Sequence, residues 1–382
     1  GKITLDRKMK MDRFKNIPKP HLPQKLPFDY TSIYTDPQII KLVTKANIAI
    51  GTYEGFLESI INPMLLISPL LSQEAVLSSK LEGTHATLED LLNYEAGNKV
   101  DIERDELHEI INYRKALFYA LENISTINNN DSKGLPLSNR IIKEMHKILL
   151  DNVRGSSKNP GNFKRNQNYI GSIASISYTP VPAEQTPEYM SNLEQYIHYD
   201  DLDLLVQSAI IHAQFEMIHP FEDGNGRIGR LLIPLFLYYQ ELLSYPTFYM
   251  SSYFEKDRSL YISHLSNISK NNNWKDWFKY YLEGVILSAE ESTKKAQDIL
   301  NLYSIMKEQV IPKLHSISGI QLLDFIFSAP IFKAEQVSEH LRISKRTTYT
   351  LLNKLIDEGY ISTDNAQRNR TYYCPQLLSI VQ

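Results

Sequence analysis

A run of twelve residues from His219 to Arg230, HPFEDGNGRIGR, brings several chemically different side chains onto one short turn. Gly224 and Gly226 suit a tight turn just before a helix, where the unpaired backbone N–H groups of the helix N-terminus bind anions. Asp223 precedes this turn and offers the hard oxygen ligand that Mg²⁺ takes alongside phosphate oxygens. This part of the run therefore predicts a site for an anion and a metal ion.

The same run also carries two arginines and a histidine. Arg227 and Arg230 are three residues apart, so they share one face of a helix that we expect to begin near Arg227. A guanidinium group matches the geometry of phosphate oxygens, and an imidazole takes protons near neutral pH. We therefore expect His219 to be a base beside a metal-bound polyphosphate, while Phe221 anchors the loop in the core.

The run resembles the HxFx(D/E)GNGRxxR signature of the Fic (Fic/Doc) family and agrees with it at every fixed position. The resemblance implies a mostly helical core that moves AMP from ATP to a hydroxyl side chain of a target protein. It further implies that His219 deprotonates that hydroxyl and that Asp223 holds Mg²⁺. Asn225 and the amides of the turn would hold the α- and β-phosphates, with Arg227 and Arg230 at the β/γ region.

A second motif, SSKLEG at residues 78–83, resembles the (S/T)xxxE(G/N) pattern of the inhibitory helix of many Fic proteins. Ser78, Glu82 and Gly83 occupy its fixed positions. A carboxylate that pairs with Arg230 would occupy the group meant for the γ-phosphate, so ATP could not settle in line for attack. Gly83 suits the C′ position that ends such a helix. Outside this context the motif is an ordinary helix end.

The segment Asn159 to Pro182 has β-branched and aromatic residues between proline and glycine breakers, and predicts a β-hairpin. The segment resembles the flap of Fic proteins, which holds the target backbone by strand addition and so demands no particular side chain; the alternative is a surface hairpin without a partner. The resemblance places Ile170 and Gly171 nearest the site. Tyr261 is expected to meet the adenine, because aromatic rings stack on bases and the family places a tyrosine in the helix after the motif.

Composition limits the other classes of function. The 382 residues are 42% hydrophobic and 22% charged, with a formal net charge of −3, so the chain as a whole has no attraction for nucleic acid or anionic lipid. Cys374 is the only cysteine, which favours a reducing compartment. The apolar stretches are broken before about 18 residues, and the basic N-terminus lacks a secretory apolar segment. We therefore expect a cytoplasmic protein without a membrane segment.

Most of the chain has helical spacing of its apolar residues. Residues 1–35 are rich in proline and predict an extended arm laid over the core. Helices are expected within residues 37–94 and at 105–121, 137–150, 231–243 and 246–265, with a loop at residues 128–131. His212 is expected to be a packed helix residue.

From about residue 316 the pattern changes to three short helices and a polar hairpin, and this segment resembles a winged-helix domain. Ser344 is expected to cap the last of these helices, and Gly359 to end it. Between His315 and Gln382 there are seven basic and six acidic residues, so this segment lacks the excess of positive charge that is typical of a DNA-binding domain. The segment could contact DNA through residues 345–349, or serve in dimerisation or target docking.

The predicted fold is mainly α: a Fic-type helical core with a β-hairpin flap, and a C-terminal winged-helix domain. The predicted domains are residues 1–100 with the inhibitory helix, 101–300 with the core, and 315–382. The predicted activity is Mg²⁺-dependent AMP transfer from ATP to a Ser, Thr or Tyr hydroxyl of a protein, itself included, restrained by Glu82. Fic proteins of this layout often form homodimers. The alternatives are phosphate transfer or removal of AMP at the same site, or a nucleotide-sensing regulator that binds DNA.

Overall fold

The structure is a computed structural model, and it describes residues 17–382 except 61, 129–133, 173–174, 315–317, 365 and 367. The predicted arm before residue 17 and most of the predicted loop at residues 128–131 lie outside the described residues. The chain divides into two compact units. The first contains the chain up to Asn47, Lys115–Glu241 and Lys256–Gly284, and the second contains Ile48–Arg114, Leu242–Glu255 and Val285–Gln382.

The described residues are mainly helical, as predicted, and five short strands accompany the helices. The helices are α1 (Thr31–Tyr34), α2 (Pro37–Glu58), α3 (Met64–Leu81), α4 (Leu88–Glu95), α5 (Arg104–Asn123), α6 (Asn139–Leu149), α7 (Thr186–Ile197), α8 (Leu204–Ile218), α9 (Asn225–Tyr239), α10 (Ser251–Lys256), α11 (Arg258–Asn271), α12 (Trp274–Gln309), α13 (Ile311–Leu314), α14 (Gly319–Ser328), α15 (Ala334–Leu341), α16 (Lys345–Asp357) and α17 (Pro375–Val381). The strands are β1 (Ile170–Ser172), β2 (Ser175–Tyr178), β3 (Ile331–Lys333), β4 (Ser362–Thr363) and β5 (Thr371–Tyr373). Within the described ranges no helix is both long and apolar enough to cross a membrane.

The core of the first unit is built around α8, which is apolar on nearly all sides and almost completely buried. The carboxylate of Asp203 caps its first turn by accepting from the amides of Leu205 and Val206. Its neighbour α9 approaches closely at Gly229, where an added Cβ would lie 3.2 Å from Cδ1 of Phe215. Helices α8 and α9 therefore pack tightly against each other in the core of the unit, and the loop that joins them carries the predicted site.

Residues 17–30 of the N-terminal arm lie along the first unit, as predicted. The prediction of an extended arm was wrong for Thr31–Tyr34, which form α1, because the Asp29 carboxylate accepts from the Thr31 amide and starts a helical turn. The His21 amide donates to the Thr179 carbonyl at 2.8 Å, just after β2. Further along, Leu26 exchanges two backbone hydrogen bonds with the Asn192 side chain, at 2.9 and 2.7 Å. These bonds satisfy backbone groups of a segment that has no regular partners of its own.

The predicted hairpin is shorter than expected. Strands β1 and β2 pair antiparallel, with Ile170 opposite Tyr178 and a register shift between Ile170 and Gly171. The preceding residues 151–162 form turns, because glycines with positive φ at Gly155 and Gly161 (89° and 78°) break any extended run. The hairpin prediction thus holds for residues 170–172 and 175–178 and was wrong for residues 159–169 and 179–182, while residues 173–174 lie outside the described residues.

Two helix predictions need correction. The helix expected at residues 231–243 is the end of α9 and stops at Tyr239, after which Glu241 adopts a left-handed φ of 57°. The helix expected through 246–265 begins only at Ser251 and is interrupted at Asp257. There the Asp257 carboxylate accepts from the Leu260 amide at 2.9 Å and caps the start of a new helix. The periodicity of apolar residues does not reveal such a cap.

In the second unit, α3 carries the SSKLEG motif at its C-terminal end. The helix ends at Leu81, Glu82 is its C-cap, and Gly83 follows with φ 97°, which confirms the predicted C′ glycine. Farther back on the same helix, the buried Glu74 carboxylate accepts from the Tyr113 hydroxyl at 2.9 Å and from the Ser251 hydroxyl at 2.5 Å. Buried carboxylates require such donors.

The C-terminal segment of the second unit contains α14, α15 and α16 and an antiparallel sheet in the order β3-β5-β4. Ser344 caps α16 by accepting from the Thr347 amide at 3.1 Å, and Gly359 follows its end with φ 77°, so both capping predictions are confirmed. Strand β3 and helix α17 were not predicted, because runs of three and seven residues have too little periodicity. The winged-helix assignment, DNA contact by α16 and the three-domain division stay predictions.

Candidate functional site

His219 ends α8 in a left-handed conformation. Its backbone has φ 50° and ψ 62°, and its amide donates to the Phe215 carbonyl at 2.9 Å. Histidine is one of the few residue types that adopt this conformation with any frequency, and the following Pro220 forbids continuation of the helix. The half-buried imidazole is therefore placed at the point where the chain leaves the core helix.

The loop after His219 is anchored by Phe221 and Asn225. Phe221 is fully buried, as predicted, and its ring stacks on His146 with centroids 3.7 Å apart. The Asn225 side chain accepts from the Phe221 amide and donates to the Phe221 carbonyl, both at 2.8 Å. This side chain closes the loop on itself, whereas its predicted contact with phosphate stays a prediction.

Gly224 forms the start of α9. It has φ 76°, and an added Cβ would lie 3.2 Å from Cδ2 of Leu149. Its amide donates to Oδ1 of Asp223 at 2.7 Å. Glycine supplies no side-chain oxygen to the first amides of the helix, and a helix N-terminus attracts anions. The helix was predicted to begin near Arg227, but it begins at Asn225, because the single left-handed residue completes the turn.

That shift moves Gly226 out of the turn and into the first turn of α9. Arg227 and Arg230 follow on the same helix, and both are buried, with 0% and 4% of their surface exposed. Nη2 of Arg227 lies 4.0 Å from Oδ1 of Asp223. Two buried guanidinium groups one helical turn apart create a concentrated positive charge at this end of the helix.

His146 on α6 binds the backbone of Asp223. The Gly161 amide donates to its Nδ1 at 2.9 Å, so its Nε2 carries the proton and donates to the Asp223 carbonyl at 2.9 Å. Burial lowers the pKa of His146 to about 4, which keeps the ring neutral. Sequence reasoning missed this residue, because a histidine on an amphipathic helix carries no local signal of such a contact.

Lys164 and Asn168 support His219 from the other side. The Lys164 ammonium group donates to the carbonyls of Ile218 and His219 at 3.1 and 3.0 Å and to Oδ1 of Asn168 at 2.9 Å. Nδ2 of Asn168 donates to the carbonyls of His219 and Phe221 at 3.1 and 2.8 Å. Lys164 is 3% exposed, and burial lowers its pKa to about 7. Both residues lie in the segment 159–182 that was predicted to form the hairpin, but no role was predicted for them.

Asp223 is the residue that was predicted to bind a metal ion. A Cβ added to Gly155 would lie 2.9 Å from Oδ2 of Asp223, so this turn closes over the carboxylate. Among the described residues no group of three or more His, Cys, Asp or Glu side chains could hold a metal ion. Asp223 offers a carboxylate beside the start of α9, and Mg²⁺ in proteins is commonly held by one or two carboxylates together with phosphate oxygens.

The other predicted site residues are distributed as follows. Tyr261 is 5% exposed, and its hydroxyl group is hydrogen-bonded to Nε2 of His212 at 2.9 Å in the core of the first unit. His212 is fully buried, as predicted. Ile170 and Gly171 form the start of β1 in the same unit. The proposed adenine contact of Tyr261 and the docking role of β1 stay predictions.

The inhibitory motif belongs to the second unit. Ser78 is fully buried in α3, and Glu82 and Gly83 lie at the end of that helix. The structure thus gives the motif the helix end that the sequence predicted, while its inhibitory role stays a prediction.

Two family models match the chain. Residues 40–122 match the model described as Fic/DOC family N-terminal, and residues 136–237 match the model described as Fic/DOC family. The second match includes His219, the loop and most of α9. The assignment therefore rests on the same residues that form the site.

Similar sequences are protein adenylyltransferases. The chain is 31% identical over 99 residues to protein adenylyltransferase fic-1 of Caenorhabditis elegans, which is 25% of this chain and 18% of that protein. It is 30% identical over 132 residues to protein adenylyltransferase Fic of Drosophila melanogaster, 34% of this chain and 24% of that protein. The chain thus spans only about a fifth to a quarter of the length of these curated relatives.

Solved structures share the fold. A Fic family protein from Desulfovibrio desulfuricans matches with a TM-score of 0.58 at 18% identity, over 94% of this chain and 98% of that one. A Fic domain containing signaling protein from Bacteroides thetaiotaomicron matches with a TM-score of 0.52 at 21% identity, over 68% of this chain and 97% of that one. The mainly helical fold with its small hairpin is therefore a Fic fold, and the chain contains the Fic/DOC family regions at residues 40–122 and 136–237 and is distantly related to protein adenylyltransferases.

Proposed function

We propose that this protein transfers AMP from ATP to a hydroxyl side chain of a protein. The observation that carries the proposal is the paired left-handed geometry of His219 and Gly224, at φ 50° and 76°, on either side of a loop closed by Asn225. This loop holds an imidazole, a carboxylate and a positively charged helix start within twelve residues. The relatives named above support the same reaction.

In the proposed reaction, His219 accepts the proton of the target hydroxyl, whose oxygen attacks the α-phosphorus of ATP. A bond forms between that oxygen and the α-phosphorus, and the bond from the α-phosphorus to the oxygen bridging to the β-phosphate breaks. Pyrophosphate leaves with the electron pair of the broken bond. An imidazole is suited to this step, because its ordinary pKa lies near neutrality.

The charged groups of the loop have separate proposed roles. Asp223 would hold Mg²⁺ together with phosphate oxygens, and a bound Mg²⁺ ion supplies neutralisation of polyphosphate charge. Arg227 and Arg230 would orient the β- and γ-phosphates, because guanidinium groups form paired hydrogen bonds with phosphate oxygens. Their burial favours a strong interaction, since little water competes with the phosphate.

We further propose that Glu82 restrains the reaction. The SSKLEG motif lies at the end of α3, with Glu82 as C-cap and Gly83 at φ 97°. A carboxylate that competes for the groups meant for the γ-phosphate would leave ATP misplaced for attack. Substitution of Glu82 by glycine removes the carboxylate and should raise the rate of transfer.

The test is labelling of protein by ATP that carries ³²P on the α-phosphate, with magnesium present. We expect Glu82→Gly to label more strongly than the unaltered chain, and Glu82→Gly with His219→Ala to lose labelling. His340→Ala, which alters an exposed histidine of the second unit, is the matched control and should label like its parent. Equal labelling by the Glu82→Gly chain with and without His219 would refute the assignment of the base.

Two variants of the experiment separate the other reactions. Labelling from γ-tagged but not α-tagged ATP would indicate phosphate transfer. Release of AMP from a previously AMPylated protein, without transfer in the forward direction, would indicate the reverse reaction. Either result would contradict the proposed function while leaving the same residues at the site.

A further inference from the structure

We infer that Lys164 and Asn168 are positioning residues for His219, and that together they fix the direction in which its imidazole points. This inference rests on the proposed function and deepens it. Neither residue belongs to the signature loop: both lie in the segment that leads into β1. Their contact with the loop is made through the backbone of the proposed base.

The number of hydrogen-bond acceptors around each of the two side chains equals the number of hydrogens that the side chain can donate. A lysine ammonium group has three hydrogens, and Lys164 has three oxygen acceptors, at 3.1, 3.0 and 2.9 Å. The amide nitrogen of Asn168 has two hydrogens and two carbonyl acceptors, at 3.1 and 2.8 Å. Every N–H hydrogen of the two side chains thus has an acceptor, which defines a single arrangement of the pair.

The carbonyl of His219 is the point on which both side chains converge. It accepts from Lys164 at 3.0 Å and from Asn168 at 3.1 Å, so both of its lone pairs are engaged. The α8 carbonyl of Ile218, which cannot continue the helical ladder, is also bound by Lys164. A cation is favoured at this negative end of the helix.

The consequence is control of a strained backbone. His219 holds a left-handed conformation that non-glycine residues rarely adopt, and such conformations persist only where the surroundings determine them. Asn168 also binds the carbonyl of Phe221, which the Asn225 side chain binds as well, at 2.8 Å each. The two residues therefore hold both ends of the His219–Phe221 turn and so set the position of the imidazole relative to the loop.

The test compares Lys164→Met with Lys158→Met in the Glu82→Gly chain, measuring kcat and the KM for ATP in the labelling reaction. Lys158 is an exposed lysine of the same turn region and serves as the matched control. Loss of charged hydrogen bonds should lower kcat by about 10- to 100-fold in Lys164→Met. The KM for ATP should change less than about twofold, because the substitution leaves the proposed phosphate-binding residues in place and so does not alter the binding of ATP in the ground state.

A restoring variant separates positioning from mere stability. With Cys374→Ser as background, Lys164→Cys alkylated in the unfolded state with bromoethylamine and refolded regains an ammonium group, and kcat should return to within about threefold of the parent. Asn168→Ala, which keeps Lys164, provides a second variant if Lys164→Met does not fold, and it should show the same fall in kcat.

Each result decides the matter. A folded Lys164→Met or Asn168→Ala chain with the parent's kcat refutes the positioning role while the proposed function stands. A Lys164→Met chain whose lower activity reflects only a smaller folded fraction, with kcat per folded molecule unchanged, refutes it as well. A parent chain that labels no protein refutes the proposed function, and this inference with it.

Discussion

Replacement of His146 by phenylalanine should weaken the first unit in a way that depends on pH. Phenylalanine has nearly the same shape, so the stack on Phe221 at 3.7 Å can be retained. Two hydrogen bonds are lost, from the Gly161 amide and to the Asp223 carbonyl, each 2.9 Å long. A buried polar group left without its partner costs about 1 to 3 kcal/mol, so the free energy of unfolding at pH 7.5 should fall by about 2 to 6 kcal/mol.

The sign of the pH effect follows from the pKa of His146. Burial lowers this pKa from 6.5 to about 4, so the unfolded chain binds a proton over this interval while the folded chain does not. The stability of the unaltered protein is therefore complete above pH 6.5 and falls as the pH drops toward 4. Between pH 7.5 and 4.5 this group alone removes about 2.5 kcal/mol.

The His146→Phe chain has no such proton to bind. The difference in stability between the two chains should therefore shrink by about 2.5 kcal/mol between pH 7.5 and 4.5. The measurement is urea unfolding of both chains at the two pH values, with His340→Phe as the exposed control. His212, whose pKa burial lowers to about 3, titrates in both chains and cancels from the comparison. A difference that stays constant with pH would refute the neutral, buried state of His146.

Two further predictions concern the start of α9 and the metal ion. Gly224→Ala should lower the free energy of unfolding by about 1 to 2 kcal/mol, because Gly224 has a φ of 76°, and it should weaken ATP binding in calorimetry. Gly51→Ala is the control: Gly51 lies in a helix with open space around it, so this change should be neutral or stabilising. Equal effects of the two substitutions would contradict the role of the turn. Asp223→Asn should raise the magnesium concentration needed for half-maximal labelling by about tenfold, and EDTA should abolish labelling by the parent chain until magnesium is restored. An unchanged magnesium requirement would show that Asp223 is not the ligand.

Local sequence signals predicted much of the loop and its helix ends. Gly224 was expected in the turn and Gly83 at a helix end, and both have positive φ, because glycine alone adopts this conformation without strain. Phe221 was expected in the core for its size and apolar character, and it is fully buried. These predictions succeeded because each depends on a residue and its immediate neighbours.

The supporting residues of the site could not be predicted in the same way. His146 is distant in the chain from Asp223, and Lys164 from His219, so their contacts depend on how the helices pack and not on local spacing. The position where α9 begins was also missed, because it depends on the backbone conformation of Gly224 and not on residue periodicity. Buried polar residues of this kind become visible only when the tertiary structure shows which backbone groups need partners.

The central claim, that the loop from His219 to Arg230 binds the phosphates of ATP with magnesium, is tested most directly by isothermal titration calorimetry of the Glu82→Gly chain. Saturable heat from ATP plus magnesium is predicted, and it should be much reduced when Arg227 and Arg230 are both changed to methionine in a chain that remains folded. Absence of any heat in the Glu82→Gly chain, or binding that is equally tight without the two arginines, would contradict the account.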